Sequence, residues 1–339
     1  MRVLVTGGAG YIGSTLVRML LDFGYDVICL DRLFFGIEPI RELLDNPNFK
    51  LVKDDIRWFD PKVLRGVDVV IDLAALSNDP AGELDPAKTY DINYLGRMRV
   101  ARLSKEYGVK RYIFASTCSV YGFQEEIVNE ESQLNPLTTY AKSAMLAEKD
   151  LLPLADRNFV VTILRFATAY GLSYRMRFDL VVNAMTLSLY KKGVIMVGGD
   201  GQQKRPLVHV KDISRAIIKV IEAEPDIVNG EIFNVGSNKQ NYRIIDLAKE
   251  IGEAVGKPYR IEFYGEIDRR SYEVDFTKIR TRLNYETKYT VRDAAREIYQ
   301  ALKEGKVKDD LRTITVKWYK HLLNTYRLIK DVELYGKLL

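Results

Sequence analysis

Short apolar runs alternate with longer amphipathic segments through the first half of the chain. The runs are rich in Val, Ile and Leu and are predicted to be strands at residues 2–6, 26–30, 48–52, 67–73, 111–115 and 160–166. The amphipathic segments are predicted to be helices, among them residues 12–23, 90–107 and 140–155. Because nearly every run is apolar throughout, the pattern indicates a parallel sheet that helices cover on both faces.

The regular alternation stops after Gly171. Beyond it the pattern predicts helices at 180–192, 210–223 and 244–255, a strand at 232–235 and a Trp- and Tyr-rich C-terminal helix that packs back on the body. We therefore predict an α/β protein, with a doubly wound parallel sheet in residues 1–170 and a smaller C-terminal α/β domain in residues 171–339. This boundary is soft, because the strand at 232–235 can return to the first sheet.

Composition and charge narrow the classes of protein that the chain can represent. The 51 basic and 46 acidic residues leave a net charge of +5, which suits either an anionic ligand or an ordinary solvated surface. Because no basic stripe with interleaved aromatic residues occurs, nucleic-acid binding is not expected. No uncharged apolar run approaches the roughly 18 residues of a membrane span, so no membrane association is expected.

Residue types that bind metals or form disulfides are scarce. The chain has two cysteines, Cys29 and Cys118, and two histidines, His209 and His321. They are too few for a disulfide framework, and their spacing does not match a zinc site. We therefore expect no metal centre, and a reducing cytoplasm is the expected location.

A glycine-rich turn follows the first predicted strand and begins the first predicted helix. Gly7 permits a tight turn, Gly10 lets the backbone approach a pyrophosphate, and Gly13 lets the helix pack on the strand. The helix N-terminus offers free N–H groups and the positive end of its dipole to the phosphates. The turn predicts a Rossmann dinucleotide-binding site with contacts from Gly7, Gly10, Tyr11, Ile12 and Gly13.

Acidic residues end the second and third predicted strands. Asp31 lies about twenty residues after the turn, where a carboxylate accepts both ribose hydroxyl groups and repels the 2′-phosphate of NADP. Arg32 could instead bind that phosphate, so NAD is favoured over NADP without being required. Asp55 is placed to accept from the adenine amino group while Ile56 packs on the ring; a solvated turn is the alternative for Asp55.

With these residues, the sequence resembles the extended short-chain dehydrogenase/reductase family, particularly its NAD-dependent sugar-nucleotide epimerases and dehydratases such as UDP-glucose 4-epimerase. Further matching motifs are Leu73-Ala74-Ala75, Asn93 with Gly96, Ser116 to Gly122, Tyr140, Leu164-Arg165-Phe166, Gly199-Asp200-Gly201 and Arg205 to Val210. The resemblance implies NAD as cofactor, with Leu73, Ala74 and Ala75 beside it. It also implies a nucleotide-sugar substrate domain in residues 171–339 and a homodimer that pairs the helices at 90–107 and 140–155.

The resemblance further implies the catalytic residues. Tyr140 matches the base of the family, Thr117 matches the hydroxyl group that bonds the same sugar oxygen, and Ala144 occupies the position of a lysine that supports both. That lysine lowers the pKa of the tyrosine, so the alanine implies impaired turnover. Three explanations remain open: an engineered substitution, which we favour slightly; replacement by Lys142, which points about 200° away on the helix; or a natural member with altered activity.

The residues after Thr117 discriminate between reactions within the family. Dehydratases and decarboxylases carry acidic residues there, whereas this chain has Cys118 and Ser119. We therefore predict a C4 epimerase that acts through a transient 4-keto sugar. The alternatives are a nucleotide-sugar dehydrogenase or reductase, and a catalytically silent NAD-binding regulatory protein. A structural role is favoured for His209 and for Cys118. The predicted substrate contacts are Ser77, Asn78, Thr117, Tyr140, Thr168, Asn183, Arg205 and either Arg269 or Arg270.

Overall fold

The strands of the protein are short and spread over the whole chain. The computed structural model describes residues 1–266 and 271–338. The strands are β1 Arg2–Thr6, β2 Asp26–Asp31, β3 Phe49–Lys53, β4 Val69–Asp72, β5 Arg111–Thr117, β6 Ile127–Val128, β7 Val160–Phe166, β8 Thr168–Tyr170, β9 Val194–Gly198, β10 Lys204–His209, β11 Glu231–Val235, β12 Asn241–Arg243, β13 Arg260–Tyr264 and β14 Glu273–Val274.

Helices connect most of these strands. They are α1 Tyr11–Asp22, α2 Asp79–Gly82, α3 Pro86–Tyr90, α4 Arg97–Glu106, α5 Thr139–Leu151, α6 Val181–Lys192, α7 Val210–Glu222, α8 Pro225–Val228, α9 Ile244–Val255, α10 Thr277–Leu283, α11 Val291–Lys303 and α12 Thr315–Val332. A π-helical turn, Asp91–Gly96, directly precedes α4. No helix within the described residues is both long and apolar enough to cross a membrane.

Seven strands form the main sheet in the order β11-β7-β5-β4-β1-β2-β3, and every neighbouring pair is parallel. The strand order reverses between β1 and β4, as in a doubly wound fold, so the predicted fold class is confirmed. The strand expected at 232–235 is β11, and it forms the edge of this sheet beside β7. The six strands predicted in the first half lie within two residues of their observed ends.

Helices bury both faces of the main sheet. The side chains of β1 alternate: Val3 and Val5 face a core shared with α1 and α7, whereas Leu4 faces a core shared with α4 and α5. These three residues are fully buried. The strands are apolar throughout because both faces of the sheet are buried by helices, as the sequence pattern predicted.

Two of the predicted helices are shorter than expected. The helix predicted at 90–107 is interrupted by the π-helical turn, in which the side chain of Asn93 accepts from the Leu76 N–H at 2.8 Å and donates to the Leu76 carbonyl oxygen at 3.2 Å. The helix predicted at 140–155 ends at Leu151, where a 3-10 turn containing Pro153 begins. The first change lies in the segment that follows β4, at the carboxyl edge of the main sheet, whereas the second lies at the opposite edge, where the chain leads into β7.

The C-terminal part adds a third core beside this edge. Helices α6, α9 and α11 pack together with strands β9 and β10, and Met185, Leu207 and Leu247 are buried between them. Helix α12 returns to the first half of the chain, as the sequence predicted. The indole Nε1 of Trp318 donates to the Phe34 carbonyl oxygen at 2.6 Å, and the ring of Tyr319 meets that of Phe34 edge-on at 5.8 Å.

Candidate active site

A cavity of about 970 Å³ lies at the carboxyl ends of the main-sheet strands. Its walls come from the ends of β1, β2, β4 and β5 on one side, and from β8, β10 and α6 of the C-terminal part on the other. In open parallel sheets, ligands bind at this edge beside the point where the strand order reverses. The cavity is therefore the candidate site for both cofactor and substrate.

The glycine turn forms one wall of the cavity. Gly7 has a φ of +69°, which favours glycine, and a Cβ on Gly13 would lie 2.2 Å from the Gly7 carbonyl oxygen. Helix α1 begins at Tyr11, and its N-cap residue Gly10 supplies no side-chain hydrogen bond. The first N–H groups of α1 can therefore bind a phosphate. All five residues predicted from this turn line the cavity: Gly7, Gly10, Tyr11, Ile12 and Gly13.

The carboxylate of Asp31 supports this turn from the end of β2. It accepts from the Ala9 N–H at 3.0 Å and from the Leu33 N–H at 2.7 Å. Burial raises the pKa of Asp31, while these two hydrogen bonds act to lower it. Asp31 lines the cavity, so its carboxylate can also accept from a ribose as predicted.

The predicted adenine contacts lie next to Asp31. Asp55 accepts from Arg57 Nη2 and from Arg32 Nη1, both at 2.9 Å. Burial alone would raise the pKa of Asp55, but its hydrogen bonds with the two arginines hold it below the ordinary value. Arg32 is thus paired with Asp55, which reduces its availability to a 2′-phosphate. Both residues line the cavity, as do Ile56, Leu73, Ala74 and Ala75.

Helix α12 and a buried arginine complete this end of the cavity. Tyr319 and Phe35 line it, and the guanidinium of Arg175 lies 3.5 Å from the centre of the Phe35 ring. Burial lowers the pKa of Arg175 to about 9, and its Nε has no hydrogen-bond partner among the described residues. A buried cation with an unused donor, in the same cavity as the glycine turn, fits the pyrophosphate of a dinucleotide such as NAD.

Tyr140 and Thr117 meet at the other end of the cavity. Tyr140 is in the first turn of α5, and its hydroxyl group lies close enough to that of Thr117, the last residue of β5, for the two to interact. Burial raises the pKa of Tyr140, whereas the Thr117 hydroxyl group lowers it. Both residues line the cavity. The pair can therefore bind one oxygen of a ligand and exchange a proton with it.

Ala144 lies one helical turn beyond Tyr140 and is buried against the core. One turn further, Glu148 accepts from Ser116 Oγ and from Arg165, so this face of α5 is packed on β5 and β7. Lys142 is exposed to solvent and does not line the cavity. Lys142 thus lies apart from the cavity in which Tyr140 and Thr117 are found.

Three buried arginines in the wall were not predicted from the sequence: Arg97, Arg175 and Arg177. Arg177 is paired with Asp179 at 2.9 Å and donates to Ser77 Oγ at 3.3 Å. Arg175 and Arg177 directly follow the β8 region, and Arg97 follows the Asn93–Gly96 motif. Their proximity in sequence to recognised motifs was the available signal for all three.

The predicted substrate contacts fall into three groups. Ser77, Asn78, Thr168 and Arg205 line the cavity. Asn183 does not: it is fully buried, and its amide group accepts from the Gly171 N–H at 3.0 Å and donates to the Arg177 carbonyl oxygen at 2.8 Å. Its side chain is thus used to position the loop that carries Arg177. Arg269 and Arg270 lie outside the described residues.

Cys118 and His209 are both buried away from solvent. The Cys118 thiol donates to the Arg165 carbonyl oxygen at 3.3 Å, and burial raises its pKa. His209 is the N-cap of α7, and its Nδ1 accepts from the Lys211 N–H at 3.1 Å. Burial lowers the pKa of His209 to about 3, so the imidazole is neutral at ordinary pH. Neither residue lines the cavity.

Comparison with known proteins assigns the chain to a family. Residues 3–236 match the model described as the NAD dependent epimerase/dehydratase family. The chain belongs to this family. Among other family members, UDP-glucose 4-epimerase of Lactobacillus helveticus is 30% identical over 312 residues, which cover 85% of this chain and 93% of that protein. UDP-glucuronic acid decarboxylase 4 of Arabidopsis thaliana is also 30% identical, over 86% of this chain and 66% of that protein.

Solved structures of family members share the fold. UDP-glucuronic acid 4-epimerase from Bacillus cereus, in complex with UDP-glucuronic acid and NAD, superposes with a TM-score of 0.80 at 26% identity. The match covers 90% of this chain and 99% of that chain. The resemblance stated from the sequence motifs is therefore confirmed, as is dependence of the family on NAD.

Proposed function

We propose that this protein is an NAD-dependent epimerase that inverts C4 of a nucleoside-diphosphate sugar through a transient 4-keto sugar. The main support for this proposal is that the hydroxyl groups of Tyr140 and Thr117 lie in the same cavity as the glycine turn and Asp31. The similar B. cereus protein is described as a 4-epimerase in complex with a UDP-sugar and NAD. The L. helveticus relative is also described as a 4-epimerase.

Residues 1–170, together with β11, form the proposed cofactor domain. The glycine turn and Arg175 hold the pyrophosphate, and Asp31 accepts from the adenosine ribose. NAD held there would supply the hydride acceptor for oxidation of the sugar carbon and the hydride donor for its reduction. Because Asp31 places a carboxylate beside the ribose, the proposed cofactor is NAD rather than NADP.

Tyr140 and Thr117 perform the proposed proton transfer. Tyr140 takes the proton of the sugar hydroxyl group as the carbon is oxidised and gives it back on reduction. Thr117 bonds the same oxygen and lowers the pKa of Tyr140. Inversion then requires only that the keto sugar turn and be reduced on its opposite face.

Residues 171–339 supply most of the proposed substrate contacts. A guanidinium suits a diphosphate because it donates two parallel hydrogen bonds, and Arg205 lines the cavity. Thr168, Ser77 and Asn78 line it as well and offer groups for sugar hydroxyls. We assign the substrate to the UDP-sugars because the similar proteins named above act on or bind them.

The residues that follow Thr117 favour epimerisation over elimination or decarboxylation. Cys118 is buried with its thiol on a carbonyl oxygen, and Ser119 presents a neutral side chain to the cavity. Neither residue can serve as an additional general acid. Although a decarboxylase is among the similar proteins, the pair at this position supports the minimal chemistry of a 4-epimerase.

A cytoplasmic homodimer remains part of the proposal. The expected pairing surface consists of α4 and α5, which pack on each other. Leu95, in the π-helical turn before α4, has 56% of its surface exposed and would be covered by such a pairing. Size-exclusion chromatography with light scattering distinguishes a dimer from a monomer, and Leu95→Glu should dissociate the dimer.

The test of function uses the purified protein with NAD and a panel of UDP-glucose, UDP-galactose, UDP-glucuronate and UDP-galacturonate. We expect NMR to show interconversion of one pair of C4 epimers without net NADH. Tyr140→Phe should abolish the exchange, whereas Tyr190→Phe, which changes a tyrosine on the outer surface of α6, should not. Net NADH accumulation, or exchange that survives Tyr140→Phe, would contradict the proposal.

A further inference from the structure

Arg97 is a buried cation whose side chain reaches the wall of the cavity. Its exposed fraction is 3%, and it begins α4 directly after the π-helical turn. Nε donates to Asp72 Oδ2 at 3.0 Å, and Nη2 donates to the carbonyl oxygens of Asp72 and Ala115 at 2.5 and 2.8 Å. Within residues 1–266 and 271–338, Nη1 has no hydrogen-bond partner, so one amino group remains for the cavity.

The surroundings of Arg97 fix its guanidinium in one place. The plane lies 3.8 Å from the centre of the Phe114 ring. Asp72 is itself held by Thr6 Oγ1 and by the Tyr112 hydroxyl group, each at 2.5 Å. An arginine held by an ion pair, two carbonyl oxygens and a ring loses little entropy when it acts on a ligand or a neighbour.

Arg97 lies on the side of the cavity where Tyr140 meets Thr117. The Ala115 carbonyl oxygen that binds Arg97 is two residues before Thr117 on β5, and Arg97, Thr117 and Tyr140 all line the cavity. Ala144, one turn after Tyr140, has no side chain beyond Cβ with which to approach this region. The positive charge that α5 lacks is thus present on α4.

We infer that Arg97 replaces the lysine missing from position 144 and is the positioning residue that stabilises the phenolate form of Tyr140. The inference rests on the proposed function, because that function makes Tyr140 the base. It also removes the reason to expect a silent enzyme, since a buried cation lines the same cavity as the tyrosine. The substitution at Ala144 and the arginine at 97 then form one compensated pair.

Several neighbouring charges affect the pKa of Tyr140, and negative and positive charges shift it in opposite directions. Asp79, in α2, raises the pKa of Tyr140; Arg97 and Arg177 lower it, with Arg97 having the larger effect. Three nitrogens of Arg177 donate to Asp179 and Ser77 instead. The negative charge of Asp72, which is paired with Arg97, partly offsets the positive charge of Arg97. Removing the charge of Asp72 should therefore lower the pKa of Tyr140, whereas removing the charge of Arg97 should raise it.

The experiment measures the titration of Tyr140 directly in the folded protein without substrate. The protein is labelled with 3-fluorotyrosine, and the ¹⁹F resonance of Tyr140 is assigned by its loss in Tyr140→Phe. We expect Arg97→Gln to raise the titration midpoint by about one pH unit and Asp72→Asn to lower it. Adding Ala144→Lys to Arg97→Gln should restore the midpoint. Arg99→Gln, which removes another arginine of α4, should leave it unchanged.

A second variant protects the test against misfolding. Arg97→Gln leaves the buried Asp72 carboxylate without its cation, so Arg97→Gln/Asp72→Asn is prepared beside it. Circular dichroism establishes which variants are folded. An unchanged midpoint in folded Arg97→Gln would overturn the inference, as would no rescue by Ala144→Lys. If Arg97→Gln does not fold, a midpoint in the double variant that is no higher than in Asp72→Asn alone would overturn it.

Epimer exchange is then measured against pH for the same proteins. If Arg97 acts through Tyr140, the rising limb of the profile moves to higher pH in Arg97→Gln and returns when Ala144→Lys is added. Loss of exchange at every pH with an unchanged Tyr140 midpoint contradicts the inference. Shifted midpoints in a protein that epimerises no sugar contradict the proposed function instead, so the two failures are distinguishable.

Discussion

Glu148→Gln tests the buried ion pair that Glu148 of α5 forms with Arg165 of β7. Glu148 and Arg165 are each 3% exposed in their side chains. The carboxylate accepts from Arg165 Nη2 at 2.7 Å, from its Nε at 3.1 Å and from Ser116 Oγ. Arg165 also donates to the Tyr121 hydroxyl group at 2.9 Å. Burial alone would lower the pKa of Arg165, but Glu148 raises it, so the arginine stays charged.

The magnitude follows from the charge that the variant leaves behind. Glutamine keeps the shape and one acceptor oxygen but removes the negative charge, so Arg165 remains buried without compensation. Breaking such a pair by neutralising one partner costs about 3–5 kcal/mol. Because the remaining amide oxygen can still accept one hydrogen bond, we expect a loss near the lower limit, about 3 kcal/mol of unfolding free energy.

Reversible urea unfolding followed by circular dichroism gives this free energy. A double-mutant cycle with Glu148→Leu and Arg165→Met then isolates the interaction. We expect the double variant to be more stable than either single variant, because no charge remains buried and the apolar side chains fill the space. If the two single losses simply add in the double variant, Arg165 and Glu148 do not stabilise each other and the reasoning is wrong.

Three further predictions concern pH, the turn and the cofactor. Because the pKa of buried His209 falls from 6.5 to about 3, the unfolded chain binds a proton that the native state does not, and stability decreases as the pH falls below 6.5. His209→Asn, which keeps an N-cap acceptor, should reduce the wild-type loss between pH 7 and 5 by about 2 kcal/mol in urea unfolding. Gly13→Ala should cost about 1–3 kcal/mol and weaken NAD binding in a fluorescence titration, whereas Gly198→Ala, whose Cβ meets nothing nearer than 3.8 Å, should leave stability unchanged. Asp31→Ser should reduce the affinity for NAD roughly tenfold and reduce the preference of the protein for NAD over NADP. If the variant and the wild type bind NAD with equal affinity in the same titration, Asp31 does not contact the ribose.

The strands and the glycine turn could be predicted because their causes are local. An apolar run such as 160–166 indicates a strand that is buried on both faces. The spacing of Gly7, Gly10 and Gly13 indicates a turn that other residues cannot form. The positions of Tyr140 and Thr117 came from the family resemblance, and the structure brings the two together although 22 intervening residues separate them.

The remaining features depend on contacts between distant segments, which a pattern along the chain does not report. The π-helical turn forms because Asn93 binds the backbone of Leu76, 17 positions earlier. Asn183 has the appearance of a ligand-binding residue in sequence, but its amide groups are used by the loop after β8. In sequence, nothing distinguishes Arg97 from the other arginines of α4; its place in the cavity wall depends on its hydrogen bonds to Asp72 and Ala115.

The return of α12 to the start of the chain links the two termini energetically. Trp318 binds the Phe34 carbonyl oxygen, and Tyr319 lines the cavity beside Phe35, so the last long helix is part of the wall for whatever occupies that end. A ligand that contacts Tyr319 must favour the docked helix by as much free energy as the docked helix adds to the affinity of the ligand. Truncations and fusions at the C-terminus therefore act on the same equilibrium as the cofactor.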